Sequence, residues 1–427
     1  MNRRYDEYVE SGTQWLAEVP KRWRVGRLDH VATAWTSNVD KHSVEGEVPV
    51  RLCNYTDVYN NVAIVEGMDF MRATATPDQI ARFRLRVGDT IITKDSETAD
   101  DIGIPAYVEH ESDDLICGYH LAMIRADPDG VSPRFLYWVL RSQPTLSQWA
   151  VLASGVTRVG IRSPDIRKVT LALPPAHEQC AIAAFLDQET AKIDALIVEQ
   201  EGLVEVLRER RIALIARTLT SGLDPTVPTT PSRTGWLGDI PEHWLTVPTR
   251  YLCTITTGSE DSGNAQEDGD YPFYVRGREI LRIGHYSFDC EAVMTPGDGQ
   301  GGTGKVFHYF NGKFEAHQRV YVFKDFRRLL GCFFFYYLSA FLGPIALAGS
   351  NTVTMESIRR PLLAEFPVAL PPVREQGQIV EYLDEQTAKI DELIAEADGI
   401  VAVSKERRSA LIAAAVTGEI DVRGEVA

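Results

Sequence analysis

The residues of this chain whose types and spacing could do chemistry are mostly basic, polar and glycine residues in loops. Residues 299–305 (GQGGTGK) come within one position of the phosphate-binding pattern G-x-x-x-x-G-K-[ST]. Position 306 is Val306, so the magnesium-binding hydroxyl is missing, and VFHYF reads as a strand where that pattern runs into a helix. A nucleotide site is not indicated. What remains is a glycine-rich hairpin, or a loop whose backbone and Lys305, with Gln300 beside them, approach a nucleic-acid phosphate. Residues 154–162 (SGVTRVGIR) and 349–354 (GSNTVT) hold the same place in two halves of the chain. Thr157, Arg158 and Arg162 in the first, and Asn351 and Thr352 in the second, could contact a sugar–phosphate backbone or base edges. A turn and a helix cap explain them equally well. Residues 51–57 (RLCNYTD) and 276–279 (RGRE) also correspond, each following a strand. Arg51, Arg276 and Arg278 have the fork that reads guanine and Asn54 the amide that reads adenine, with Tyr55 next to it. Lys94, ending a strand at 90–93, is a candidate of the same kind; a solvated strand end is the plainer reading of all these sites.

Catalytic chemistry finds no foothold. Acid pairs at helical spacing, such as Glu205 and Glu209, suit a solvated helix face, and the nine histidines form no H-E-x-x-H. There is no G-x-S-x-G elbow and no N/D-P-P-[YF] motif of an amino-methyltransferase. The six cysteines lie far apart without C-x-x-C, so neither disulfides nor a metal site is indicated. These features describe a chain that is not an enzyme by itself.

The elements that must position such residues come from a duplication. Residues 173–214 repeat at 370–411 with a constant shift of 197, and residues 11–23 repeat at 232–244 with a shift of 221. Between the repeats, residues 25–155 and 246–350 share little. Within the repeated block Ile182, Leu186, Ile193, Leu196, Ile197, Leu203, Val204 and Leu207 recur at three- and four-residue steps, as do Ile379, Leu383, Ile390, Leu393, Ile394, Ile400 and Val401. That is amphipathic-helix spacing with a narrow seam. Leu-Pro-Pro marks each start and Gly222 and Gly418 each stop. Two such helices paired along their length would run antiparallel, giving a circular repeat with a pseudo-two-fold axis. The variable parts read as mixed α/β, with strands at 48–52, 90–93, 121–124, 271–275, 306–309 and 319–323 and helices at 133–141 and 329–342. The Pro/Thr-rich stretch 224–233 reads as an extended linker. The expected divisions are 1–175, 176–224, 225–371 and 372–427.

Bulk composition is that of an ordinary globular protein: 427 residues, 44% hydrophobic, 24% charged. No apolar run reaches membrane-spanning length, and no signal peptide follows the N-terminus, so a cytoplasmic location is expected. The net charge of −16 counts against a nucleic-acid partner at first sight. Residues 176–224 and 372–427 hold −10 of it, leaving 39 acids against 33 bases elsewhere.

The duplicated LPP-x₂-EQ…I…[FY]LD…TAKID block and the W[LI]GxIPxxW-like opening at 15–23 and 236–244 resemble the DNA-specificity subunit of type I restriction–modification systems, over the whole chain. The first opening departs slightly, with Ala17 and Glu18 where the second has Gly238 and Asp239. The resemblance implies an α+β fold: two mixed α/β target-recognition domains, each reading half of a split sequence in double-stranded DNA, joined by two long antiparallel helices as a coiled-coil spacer. It implies two methyltransferase subunits and motor–nuclease (restriction) subunits as partners. S-adenosylmethionine, ATP and magnesium would sit on those partners, not on this chain. A helical interaction scaffold without DNA binding is the alternative.

Overall fold

Runs rich in Val, Ile, Phe and Tyr build sheets in both variable regions, and the repeated blocks build helices, as their periodicity requires. The computed structural model describes residues 4–232, 234–299, 302–348 and 357–425. It divides into two units: residues 1–200 with 399–427, and residues 201–398.

In the first unit a five-stranded sheet runs Ala32–Thr36, Leu121–Ala126, Thr90–Thr93, Pro105–Val108, Ala63–Ile64, antiparallel except for its last pair. The central strands are buried on both faces. Ile91, Leu121 and Met123 turn towards a second sheet of Leu115–Cys117, Val48–Cys53 and Met71–Ala75. Ile92, Ala122 and Ile124, at alternate positions, face the helices Pro133–Arg141 and Gln143–Leu152. In the second unit a six-stranded sheet runs Thr254–Thr257, Val320–Lys324, Phe288–Pro296, His308–Ala316, Tyr271–Tyr274, Ile280–Ile283. The helix Gly331–Ala348 lays Phe333, Phe334, Tyr337 and Leu338 against Val293 and Phe323 of that sheet. Two sequence expectations shift here. The strand expected at 306–309 begins at His308, because the backbone at 302–306 is turned, with the Lys305 and Val306 amides both donating to the Gly302 carbonyl. The helix expected at 329–342 continues through Pro344, which leaves the Ala340 carbonyl without its usual i+4 donor.

The long helices are Ala176–Ser221 and Val373–Thr417. Both stop at a glycine in the left-handed region, Gly222 at φ +72° and Gly418 at φ +79°. The seam is narrower than the eight positions read from the first repeat: Ile182, Leu186, Ile193, Ile197, Val204 and Leu207 are buried, while Leu196 and Leu203 are exposed. Their repeats Leu393 and Ile400 are exposed too. In the first unit Arg408 reaches Asp194 at 2.8 Å, and Ile193, Ile197 and Val401 form a small core. In the second unit Arg211 meets Asp391 at 2.8 Å, the same pair displaced by 197. In each unit the order of contacts along one helix reverses along the other, so the local pairing is antiparallel.

One joint, built twice, accounts for the repeated residues. Glu178 accepts hydrogen bonds from Trp23 Nε1 (3.0 Å) and Tyr5 Oη (3.1 Å), and Gly418 lies against Pro20 and Trp23 with no room for a Cβ. Burial and Glu178 push the Tyr5 phenol pKa up. In the second unit Glu375 accepts from Trp244 Nε1 (3.1 Å), with Gly222 close against Trp244. The next residue is a buried glutamine in both. Gln179 donates to the Pro174 carbonyl and accepts from the Ser132 N–H; Gln376 donates to the Pro371 carbonyl and accepts from the Leu330 N–H. Each glutamine thus ties the start of a long helix to the start of its own unit's domain helix. Among the described residues no helix is long and apolar enough to cross a membrane.

Candidate nucleic-acid interface

The strand Thr90–Thr93 ends at Lys94 and Asp95, where two other segments converge. The Lys94 N–H donates to the His120 carbonyl (3.0 Å), and the Ile161 N–H donates to the Lys94 carbonyl (2.8 Å). Paired hydrogen bonds between Ser154 and Gly160, both 3.0 Å, close residues 154–160 into a loop with an exposed tip. The result is an open cleft of about 460 Å³ lined by Thr36, Lys94, Asp95, Arg158 and Arg162. Asp95 organises the groups around it, with Lys94 Nζ at 3.1 Å and His120 Nδ1 at 2.6 Å. His120 Nε2 in turn lies 3.3 Å from Arg158 Nη1; hydrogen on Nδ1 satisfies both contacts. Arg162 is exposed and held by Asp165 at 2.8 Å. Hydrogen bonds from Lys168 and then Arg162 keep the Asp165 carboxyl below the usual carboxylate range.

The second unit carries the same construction. The Gly297 N–H donates to the Arg319 carbonyl (2.8 Å) and the Ile358 N–H to the Gly297 carbonyl (2.7 Å). Asp298 holds Arg319 Nη1 at 3.0 Å. A cleft of about 450 Å³ is lined by Thr257, Asp298, Arg319, Arg359 and Arg360. Thr36 and Thr257, Asp95 and Asp298, His120 and Arg319, and Arg162 and Arg359 hold like positions in like strands and turns.

The cleft of the first unit therefore gathers Lys94, Arg158 and Arg162, with Thr157 on the loop beside it. Tyr55 reaches its edge through a hydrogen bond with Ser96; burial is the main reason its phenol pKa is raised. Asn54 stands elsewhere, capping the helix Tyr55–Tyr59 through its N–H bond to Asp57 (2.7 Å). Arg51 is committed to a two-pronged ion pair with Asp114 (2.9 and 2.8 Å) and to Ser112. The hydrogen bond from Arg51 is the largest cause holding the Asp114 carboxyl at about 2. In the second unit Arg276 borders the cleft, 3.9 Å from Asp298, while Arg278 and Lys305 are exposed on neighbouring turns. The glycine loop leads into the strand His308–Ala316 and not into a helix, consistent with rejecting a nucleotide-binding loop. Gln300, Asn351 and Thr352 lie outside the described residues. Sequence reading missed Asp95, His120, Asp298, Arg319, Arg359 and Arg360. For Arg359 and Arg360 a signal existed: Ile161-Arg162-Ser163-Pro164 and Ile358-Arg359-Arg360-Pro361 extend the 197-residue repeat upstream.

Paired clefts on mixed sheets, each joined to long repeated helices, define a duplicated fold. Residues 241–397 match the type I restriction modification DNA specificity domain. The chain is 32% identical over 184 residues to the EcoDI type I restriction enzyme specificity subunit of Escherichia coli, covering 43% of this chain and 40% of that one. It is 22% identical over 399 residues to the MjaX type I restriction enzyme specificity subunit of Methanocaldococcus jannaschii, covering 89% of each. The first match thus spans less than half of that relative's length. Among solved structures, the HsdS subunit from Thermoanaerobacter tengcongensis aligns with a TM-score of 0.54 at 19% identity, covering 94% of this chain and 98% of that one. A chain from work on complex assembly and conformational transition of the type I R-M system aligns at 0.68 and 21%, covering 94% and 99%. The structural likeness carries the fold. The match over residues 241–397 and the similarity to these specificity subunits agree with the resemblance read from the duplicated block.

Proposed function

We propose that this chain reads a bipartite sequence in double-stranded DNA, one half-site per unit, and scaffolds the methyltransferase subunits of a type I restriction–modification complex. The observation that carries this reading is the cleft that recurs at equivalent backbone positions with different cations. A repeated frame with altered side chains suits two readers of one polymer with unlike local sequence. The long helices would fix the unread gap between half-sites. Exposed Leu196 and Leu203 on one helix, and Leu393 and Ile400 on the other, support a protein partner on their outer faces. Catalysis, S-adenosylmethionine, ATP and magnesium would belong to methyltransferase and restriction subunits. The test is selection of bound duplexes from a randomised pool by the full chain. Wild type should enrich two specified blocks separated by an unspecified gap of constant length. Lys94→Glu with Arg158→Glu should erase one block only, and Arg319→Glu with Arg359→Glu the other. Enrichment of a single block, or of none, would sink the reading in favour of a helical scaffold.

A further inference from the structure

Resting on the reading that both clefts bind DNA, the duplication allows roles to be divided residue by residue. A phosphate is the same group at every DNA sequence, whereas base edges differ. Two units facing unlike half-sites can therefore share the side chains that hold phosphate, and must differ in those that read bases. Arg162 and Arg359 are shared. Each is exposed, follows an isoleucine pinned by its N–H to the Lys94 or Gly297 carbonyl, and stands two residues before a proline. At the neighbouring position the units differ. His120 and Arg319 each lend a carbonyl to the same turn and place a side chain on the same carboxylate, Asp95 at 2.6 Å or Asp298 at 3.0 Å. His120 also carries Arg158, at 3.3 Å; Arg319 has free N–H capacity in a planar fork.

We propose that Arg162 and Arg359 are the sequence-independent phosphate anchors of the two clefts, and that His120 with Arg158, and Arg319, form the position at which each cleft tells one base from another. Asp95 and Asp298 are positioning residues, aiming these groups without reading bases themselves.

The experiment uses the full chain, with anisotropy titrations on the selected duplex and on scrambled duplex across a salt series, beside selection from a randomised pool. Arg162→Ala and Arg359→Ala should each weaken both duplexes to the same extent, about five- to tenfold, and reduce the log–log salt slope by about 0.9. The selected blocks should stay unchanged. Arg162→Lys and Arg359→Lys should restore much of the loss, since a point charge serves a phosphate; that rescue also excludes misfolding as its cause. Arg319→Ala and Arg158→Ala should instead weaken the selected duplex at least tenfold more than the scrambled one, and relax one base in one block each. If Arg162→Ala or Arg359→Ala alters a selected block, or if lysine fails to rescue, the division of roles is overturned. If none of these variants changes affinity for either duplex, the DNA reading of the clefts fails with it.

Discussion

Gln179 uses both faces of a buried amide, donating to the Pro174 carbonyl at 2.9 Å and accepting from the Ser132 N–H at 2.7 Å. A leucine of similar volume leaves both backbone groups without a partner, at about 1–3 kcal/mol each. Gln179→Leu should therefore lower stability by about 2–4 kcal/mol in a urea titration, and Gln376→Leu should do the same for its own unit. A loss below about 0.5 kcal/mol would mean that water replaces the amide. At the Arg51–Asp114 pair the effect is smaller and depends on pH. The Asp114 carboxyl lies at about 2, below its ordinary 3.8, chiefly through the hydrogen bond from Arg51. A depressed carboxyl contributes stability that is complete above pH 4 and lost as the pH falls towards 2. Its side chain is 46% exposed, so solvent screening reduces the contribution to less than about 1 kcal/mol. Asp114→Asn should be slightly less stable than wild type at pH 6 and equal to it near pH 2; a constant difference across that range would assign the effect to packing. Residue types were legible in the sequence here, and partners were not. Arg51 has the guanidinium of a base reader, but the carboxylate that occupies it comes from 63 positions away.

Helices declared themselves through local periodicity, and sheets only partly. Helix Pro133–Arg141 and strand Thr90–Thr93 follow from proline position and β-branched content, and both long helices follow from stripe, start and stop. Strand order did not follow, because which strands pair depends on contacts between distant segments. Nor did the equivalence of the two clefts beyond residues 161–164 and 358–361, because the turns at 94–95 and 297–298 share backbone hydrogen bonds but little sequence. The helices also carry a length prediction. Asp194–Arg408 in the first unit and Arg211–Asp391 in the second each fix the local pairing of the helices. Adding a heptad to one helix alone, between the two ion pairs, would put one pair out of register with the other. Adding one heptad after Leu203 and another after Ile400 keeps the stripe and lengthens the pair by about 10 Å, about three base pairs of duplex. The expected methylation map, made with the partner subunits, has unchanged half-sites and a gap longer by about three base pairs. Altered half-site bases with the old gap would show that the helices do not set the spacing.

At the scale of the whole molecule, charge and proposed function pull against each other. The chain carries −16, of which −10 lies in residues 176–224 and 372–427. Acids on those segments repel a polyanion over distances near the Debye length, about 8–10 Å at ordinary salt. The clefts oppose this with only a few cations, several already paired with Asp95, Asp165 or Asp298. DNA binding by the chain alone should therefore be weak and only shallowly salt-dependent. Methyltransferase subunits covering the acidic helices would remove much of the repulsion and could add phosphate contacts of their own. The expected result is at least a tenfold gain in affinity for the selected duplex when those subunits are present at equal salt. Raising the salt should narrow the gap if screening of the helices is its main source, because repulsion between the free chain and DNA is screened first. A gap that instead widens with salt would assign the gain to non-electrostatic contacts made by the partners. Equal affinities at every salt concentration would mean that the two clefts suffice, and that the acidic helices lie too far from the duplex to matter.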